Sequence, residues 1–309
     1  MTKTALLFAG QGAQVVGMGK DFADALPAAK AWMEKANEAL GYDLASVCFN
    51  GPEAELTKTE NAQPGIFLMS WIAFQLLKER MPTLSFQATA GLSLGEFTAL
   101  AAAGGITFEE GLKLVRQRGR FMQEACEATQ GGMAAIIGLD EAPTRQVCAE
   151  AGVVLANLNC PGQLVVSGEA QKIAKACELA KAKGARRALP LPVAGAYHSP
   201  LMASAQAKLE SELSGVQITN PTVPVISNVT AQPHESASTI KARLVEQVTN
   251  SVRWEESMRW LVAQGFTRFI ELGPGAALSG FMKRIHKEAV MLNVADIPSL
   301  EATVKALAA

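Results

Sequence analysis

Apolar and polar positions along this chain fall into two alternating textures. Thr4-Ala5-Leu6-Leu7-Phe8 is a short apolar run ended by Ala9-Gly10-Gln11-Gly12, the pattern of a buried strand. Helical spacing follows over about 21–40 and 65–80. A strand-like run over 86–90 passes into Gly91-Leu92-Ser93-Leu94-Gly95 and then a helix-like run over 97–103. A further helix is predicted over 108–126. Strands alternating with helices imply a parallel sheet covered on both faces.

The texture changes at 128–132, where the elements become short and regular. The pattern predicts a strand over 133–138, a helix over 141–151, strands over 153–158 and 163–167, a helix over 170–183 and a strand over 185–191. That order, β-α-β-β-α-β, is ferredoxin-like. The expected organisation is therefore α/β: a large domain built from 1–128 and 194–309, with a small domain over 129–193 inserted in it. Strands over 225–227 and 269–272 belong to the returning part of the large domain, the second closed by Gly273-Pro274-Gly275.

Composition narrows the class. With 309 residues, 49% hydrophobic and 18% charged, the chain can bury a substantial core and is not disordered. The 28 basic and 29 acidic side chains give a net charge of -1, which argues against a general nucleic-acid binder. Five scattered cysteines with no C-x-x-C pair argue against a disulfide framework and a thiolate zinc site. The first apolar run is too short for a signal peptide, and the run over 66–77 is too short to cross a bilayer. A cytoplasmic enzyme without membrane or nucleic-acid partners is expected.

Gly91-Leu92-Ser93-Leu94-Gly95 is the one G-x-S-x-G in the chain. Between a strand and a helix, it would hold Ser93 on a sharp turn with its hydroxyl outward. A serine hydroxyl needs a base to act as a nucleophile, and histidine is the usual one. The three histidines, His198, His234 and His286, all follow Ser93. His198, in a loop that enters a helix, is the preferred base. His234 sits in a polar stretch and reads as surface, and His286 as a cation late in a helix. No acid to orient His198 is visible: Asp140 lies in the expected insert and looks like a helix start. A backbone or side-chain carbonyl is the alternative.

Arg118 falls on the apolar stripe of its helix with Gly111, Leu114, Val115, Phe121 and Met122. A buried guanidinium needs a partner. Either an internal carboxylate supplies it, or the side chain snorkels, or the fork meets a substrate carboxylate in two parallel hydrogen bonds. Gly10-Gln11-Gly12 lacks the dinucleotide and Walker patterns. It is either an ordinary glycine turn or a source of a backbone N–H that, with that of Leu94, holds an oxyanion.

Together these segments resemble the malonyl-CoA:acyl carrier protein transacylases, the acyltransferase family of fatty-acid and polyketide synthesis. The landmarks run from Phe8-Ala9-Gly10-Gln11-Gly12 through Asn61-Ala62-Gln63-Pro64, the elbow with Glu96, Arg118-Gly119 and Asn159-Cys160-Pro161-Gly162-Gln163. They continue with His198-Ser199-Pro200, Glu246-Gln247 and Gly273-Pro274-Gly275. The resemblance implies a hydrolase-like large domain and ping-pong transfer of malonyl from malonyl-CoA to the phosphopantetheine thiol of acyl carrier protein. In it Ser93 is the nucleophile, His198 the base, and Gln247 supplies the main-chain carbonyl that orients the base. Gln11 and Leu94 form the oxyanion hole, and Arg118 pairs with the malonyl carboxylate. Leu92, Tyr197, Met122 and Asn159 are expected to touch substrate. Two departures bear on selectivity. Leu92 stands where the family usually has histidine, and Tyr197 stands where many members have phenylalanine, which should favour malonyl over methylmalonyl.

The resemblance implies no metal or bound cofactor, since coenzyme A is a substrate, and a monomer is expected. Lys183, Arg186 and Arg187, or Lys283, Arg284 and Lys287, are candidate docking sites for an acidic carrier protein. The rival readings are a serine esterase or thioesterase, a stand-alone polyketide-synthase acyltransferase or editing acyl hydrolase, and a non-catalytic carrier-binding module.

Overall fold

The computed structural model describes residues 2–308. Met1 and Ala309, at the outer ends of the expected first and last segments, lie outside them. The nine strands are β1 (Lys3–Phe8), β2 (Ala88–Gly91), β3 (Gly131–Ile137), β4 (Val154–Cys160), β5 (Gln163–Glu169), β6 (Arg187–Pro190), β7 (Val225–Ile226), β8 (Phe266–Leu272) and β9 (Val290–Val294). They form a five-stranded parallel sheet in the order β7-β2-β1-β8-β9 and a separate four-stranded antiparallel sheet in the order β4-β5-β3-β6. The protein is therefore mixed α/β.

β1 is buried from Thr4 to Phe8 because it is the middle strand and helices cover both faces. The helix Thr59–Arg80 fills the main core and is buried almost all round, as its lack of a polar face requires. Phe108–Glu127 packs on it so closely that a Cβ on Gly119 would meet the Thr59 carbonyl oxygen at 2.4 Å. The antiparallel sheet sorts its side chains with period two. Ala134, Ile136, Leu164 and Val166 face a small core shared with the helices Glu141–Ala151 and Ala170–Ala182. Met133 and Val165 face the main core instead. The two units are stitched by backbone hydrogen bonds between Leu158 and Val252 and between Val252 and Ala156.

Several boundaries differ from the sequence reading. The helix expected over 21–40 is two, Lys20–Ala25 and Pro27–Leu40, because Leu26 is forced to an extended conformation before a proline. The helix expected from 65 starts at Thr59 and contains Pro64 as its sixth residue, where the missing N–H leaves the Glu60 carbonyl without its intrahelical donor. The edge strand β9 was not predicted: its five residues carry no alternation, and only Val294 is buried.

All five parallel strands end on one edge, so the loops after β1, β2, β7 and β8 converge there, where open α/β sheets place their ligands. The turns after β1 and β2 touch: Leu92 N–H donates to the Phe8 carbonyl at 3.1 Å. A Cβ on Gly91 would sit 1.9 Å from the Gly95 carbonyl carbon and oxygen. Gly91→Ala should therefore destabilise the protein by about 3 kcal/mol or more. Gly280→Ala, in a helix with open space around it, should stabilise by about 0.5–1 kcal/mol. Urea titration of both variants checks the pair.

Candidate active site

Ser93 lies between β2 and the helix Gly95–Ala102, with φ at 53°. His198 has φ at 56°. Left-handed backbone at a residue other than glycine costs on the order of 1–3 kcal/mol and survives only where its surroundings impose it. Among the described residues only Ala231 shares it outside the glycines. At Ser93, Asn228 imposes it. The Asn228 side chain accepts from Ser93 N–H at 2.6 Å and donates to the Gly91 carbonyl at 2.7 Å, gripping both ends of the turn. At His198, the following Ser199-Pro200 pair opens a short 3-10 turn, with the Ser199 hydroxyl donating back to the Ala196 carbonyl at 2.7 Å.

Ser93 Oγ is 2.9 Å from His198 Nε2, and His198 Nδ1 is 2.8 Å from the Gln247 main-chain oxygen. A carbonyl oxygen only accepts, so Nδ1 carries the proton and Nε2 faces the serine with its lone pair. Gln247 is the last residue of the helix Ala237–Gln247, where a helix leaves its carbonyls without an internal partner. No carboxylate takes part, and Asp140 sits in front of the helix Glu141–Ala151, far along the chain in the smaller unit. Burial, and next the charge of Arg118, lower the His198 pKa from 6.5 to about 4.

Arg118 is 1% exposed. Its Nη1 donates to Gln63 Oε1 at 2.7 Å, and its Nη2 to Ser93 Oγ at 3.1 Å and Gln247 Oε1 at 2.9 Å. Its Nε has no partner among the described residues. Both internal alternatives fail: the side chain is too deep to snorkel, and every oxygen it touches is neutral. Burial lowers its pKa to about 10, so it remains a cation at neutral pH.

The other expected residues divide. Gln11 and Met122 both touch Gln63, whose Nε2 is 3.4 Å from Gln11 Oε1 and from Met122 Sδ. Tyr197 is buried, its hydroxyl 2.7 Å from Thr59 Oγ1. Leu92 and Leu94 flank Ser93, and the N–H groups of Gln11 and Leu94 meet no acceptor among the described residues. Asn159 is buried on β4, and its Oδ1 makes no hydrogen bond. Of the two basic clusters, Arg186 and Arg187 border a shallow pocket of about 490 Å³ with Ile137 and Leu189. Arg284 is tied to Gln163 and the Pro161 carbonyl.

Two histidines need correction or placing. His234 is not on the surface. Its side chain is 1% exposed, with Nε2 2.8 Å from Glu96 Oε1; the buried carboxylate draws it inward from an otherwise polar stretch. His286 falls just after the helix Ala277–Ile285 and faces Glu288 at 3.4 Å. Asn228 was missed altogether, although it follows a parallel strand at the edge where such sheets bind ligands. In the sequence Gln63 and Glu96 stand out only as landmarks of the resemblance.

Residues 5–306 match the acyl transferase domain family. The protein belongs to that family. Among its curated relatives is the malonyl CoA-acyl carrier protein transacylase of Bacillus subtilis, 46% identical over 99% of this chain and 98% of that protein. Solved acyl transferases of similar shape include the malonyl CoA-acyl carrier protein transacylase of Coxiella burnetii. Its TM-score is 0.95 at 36% identity, over 98% of this chain and 97% of that one. A malonyl-transacylase in complex with a type II PKS acyl-carrier protein also has a TM-score of 0.95, at 38% identity over 99% and 100% of the two chains. Among the described residues of this acyl transferase, no helix is long and apolar enough to cross a membrane, and no cluster of side chains is suited to a metal ion.

The site's electrostatics can be read without substrate. In the folded protein the His198 ring should stay neutral down to about pH 4, whereas an unfolded histidine charges near 6.5. Its contribution to stability is complete above about 6.5 and is lost as pH falls toward 4. Arg118→Met removes the second cause and should raise the ring's pKa, with burial still holding it below 6.5. Histidine ring NMR titration of both proteins measures this.

Proposed function

We propose that this protein transfers a malonyl group from malonyl-CoA to the phosphopantetheine thiol of acyl carrier protein through an acyl-serine, supplying fatty-acid synthesis. The observation that carries the reading is Arg118: a fully buried cation, 3.1 Å from Ser93 Oγ, with only neutral partners and an unused Nε–H. A hydrolase of uncharged esters has no use for a desolvated guanidinium there. A donor whose acyl group ends in a carboxylate does, because the fork then gains the anion it lacks.

In this scheme His198 Nε2 takes the Ser93 proton as Oγ attacks the thioester carbonyl. The N–H groups of Gln11 and Leu94 hold the oxyanion, the second at the start of the helix Gly95–Ala102, where the helix dipole also favours negative charge. Collapse breaks the carbon–sulfur bond, and the departing coenzyme A thiolate takes the proton back from His198. The carrier thiol then gives its proton to His198, attacks the acyl-serine, and Ser93 recovers the proton as it leaves. The Gln247 carbonyl keeps Nε2 aimed throughout. Tyr197, pinned by Thr59, narrows the space beside the acyl α-carbon, with Leu92, Met122 and Asn159 around the acyl and pantetheine groups.

The scheme needs no metal or prosthetic group, and we read the protein as a monomer. The five buried, unpaired cysteines suit a reducing, cytoplasmic setting. We further assign residues 129–193 to an inserted ferredoxin-like domain, supported by the sheet order β4-β5-β3-β6, and residues 1–128 and 194–309 to a hydrolase-like domain. A basic surface beside the cleft, at Lys283, Arg284 and Lys287 or at Lys183, Arg186 and Arg187, would receive the acidic carrier.

Intact-protein mass spectrometry after brief exposure to malonyl-, methylmalonyl- and acetyl-CoA tests the reading. One malonyl adduct is expected, weaker methylmalonyl uptake, no adduct in Ser93→Ala, and discharge on adding a pantetheinylated carrier. Arg118→Ala should lower malonyl uptake at least about a hundredfold, the loss of a charge-assisted pair, while sparing acetyl. Equal losses for the two donors would remove the carboxylate clamp. An adduct lost to water at the same rate with or without carrier would make the protein an acyl hydrolase.

A further inference from the structure

Behind Ser93 lies a second buried cluster that the transfer scheme leaves idle. Glu96, in the first turn of the helix Gly95–Ala102, is 0% exposed. Its Oε1 meets His234 Nε2 at 2.8 Å, and its Oε2 accepts from Asn228 N–H at 3.0 Å and from Gln247 Nε2 at 2.7 Å. Three donors converging on two oxygens are the set a carboxylate requires when it leaves water.

The contact with Gln247 has a directional consequence. Carboxylate oxygens only accept, so the half of the Gln247 amide that faces Glu96 must be the NH2 group. That nitrogen also donates to the Ser93 carbonyl at 3.0 Å. The amide oxygen therefore points the opposite way, and it accepts from Arg118 Nη2 at 2.9 Å. Turning the amide over would set NH2 against the guanidinium and oxygen against the carboxylate, two repulsive contacts in a site closed to water. One carboxamide thus stands between a buried cation and a buried anion with its dipole along the line joining them, and the charge of Glu96 favours the guanidinium form of Arg118 across it.

We propose that Glu96, steadied by His234, is a positioning residue that sets, through the Gln247 carboxamide, the direction in which Arg118 offers its charge to the carboxylate of the acyl donor. This rests on the reading of Arg118 as the group that meets that carboxylate. The Glu96 side chain makes no hydrogen bond to the Ser93 hydroxyl; only its backbone N–H meets Ser93, at the carbonyl, at 3.1 Å. Its contact with Gln247 bears on donors that use the clamp, whereas the Asn228 N–H it also holds belongs to the elbow and bears on every donor alike; the difference between donors separates positioning from merely holding the fold.

The experiment measures KM and kcat for acylation of the full chain by malonyl-CoA and acetyl-CoA, with thermal unfolding of each variant. Glu96→Met removes the acceptor at similar volume. It should raise KM for malonyl-CoA relative to that for acetyl-CoA about tenfold, the loss of a hydrogen bond to a charged group, while the lost contact with Asn228 bears on kcat for both donors alike. Glu96→Gln keeps an amide oxygen able to accept from Gln247 and should fall between parent and Glu96→Met. His234→Phe, which removes one donor from Glu96, should move malonyl KM in the same direction by less. Equal impairment with both donors, or no change with malonyl-CoA, overturns the proposal. If Glu96→Met does not fold, Glu96→Gln and His234→Phe decide by the same criterion. A parent protein that takes up no malonyl group overturns the transfer reading and this inference together. A malonylating parent with donor-blind variants overturns this inference alone.

Discussion

A single desolvated charge organises this molecule's working edge. The Arg118 guanidinium is too deep to reach water, and inside a protein an unpartnered cation is far costlier than an unpartnered amide. Its surroundings answer that cost with neutral oxygens: Gln63 from one helix, Gln247 from another, and the hydroxyl of Ser93 from the elbow. Each of those groups is itself held. Gln63 reaches Gln11 in the turn after β1, and Gln247 reaches Ser93 and Glu96. The loops after β1 and β2 and the ends of three helices are thereby drawn to one point.

The same constraint explains why backbone strain collects here. Ser93 and His198 both occupy the left-handed region, a conformation that isolated serine and histidine avoid. The elbow's cost is met by Asn228, which closes the turn, and by the glycines on either side, which let the strand and helix approach closer than a Cβ allows. The base's cost is met by the Ser199-Pro200 turn that follows it. Packing of the main core, with Phe97 beneath the guanidinium at 5.5 Å, fixes the platform on which these small strains persist.

Much of the fold was legible in the sequence because its elements are long or strictly periodic. The apolar run of β1, the stripe of Phe108–Glu127 and the regular strand–helix succession from 131 to 190 each declare themselves locally. β9 did not, since an edge strand with one buried residue carries no alternation. At the site, Ser93 and Arg118 stood out by chemistry against context: a serine between glycines at a turn, and a cation on an apolar face. Asn228 and Gln63 did not, since amides are common in loops and helices and their importance lies in what they touch across 135 and 55 residues of chain. His234 misled because local polarity is a poor guide to burial when the covering group, Glu96, comes from a distant helix.

Gln247 joins two unlike attachments in one residue. The imidazole hangs from its peptide carbonyl, which any amino acid at that position would still provide. The guanidinium hangs from its side chain, which a single codon change removes. In the proposed transfer, support of the base and orientation of the clamp thus rest on different parts of the same residue, although the carboxamide also holds the Ser93 carbonyl. A change of side chain there alters what the guanidinium meets, while the peptide carbonyl that the imidazole meets remains.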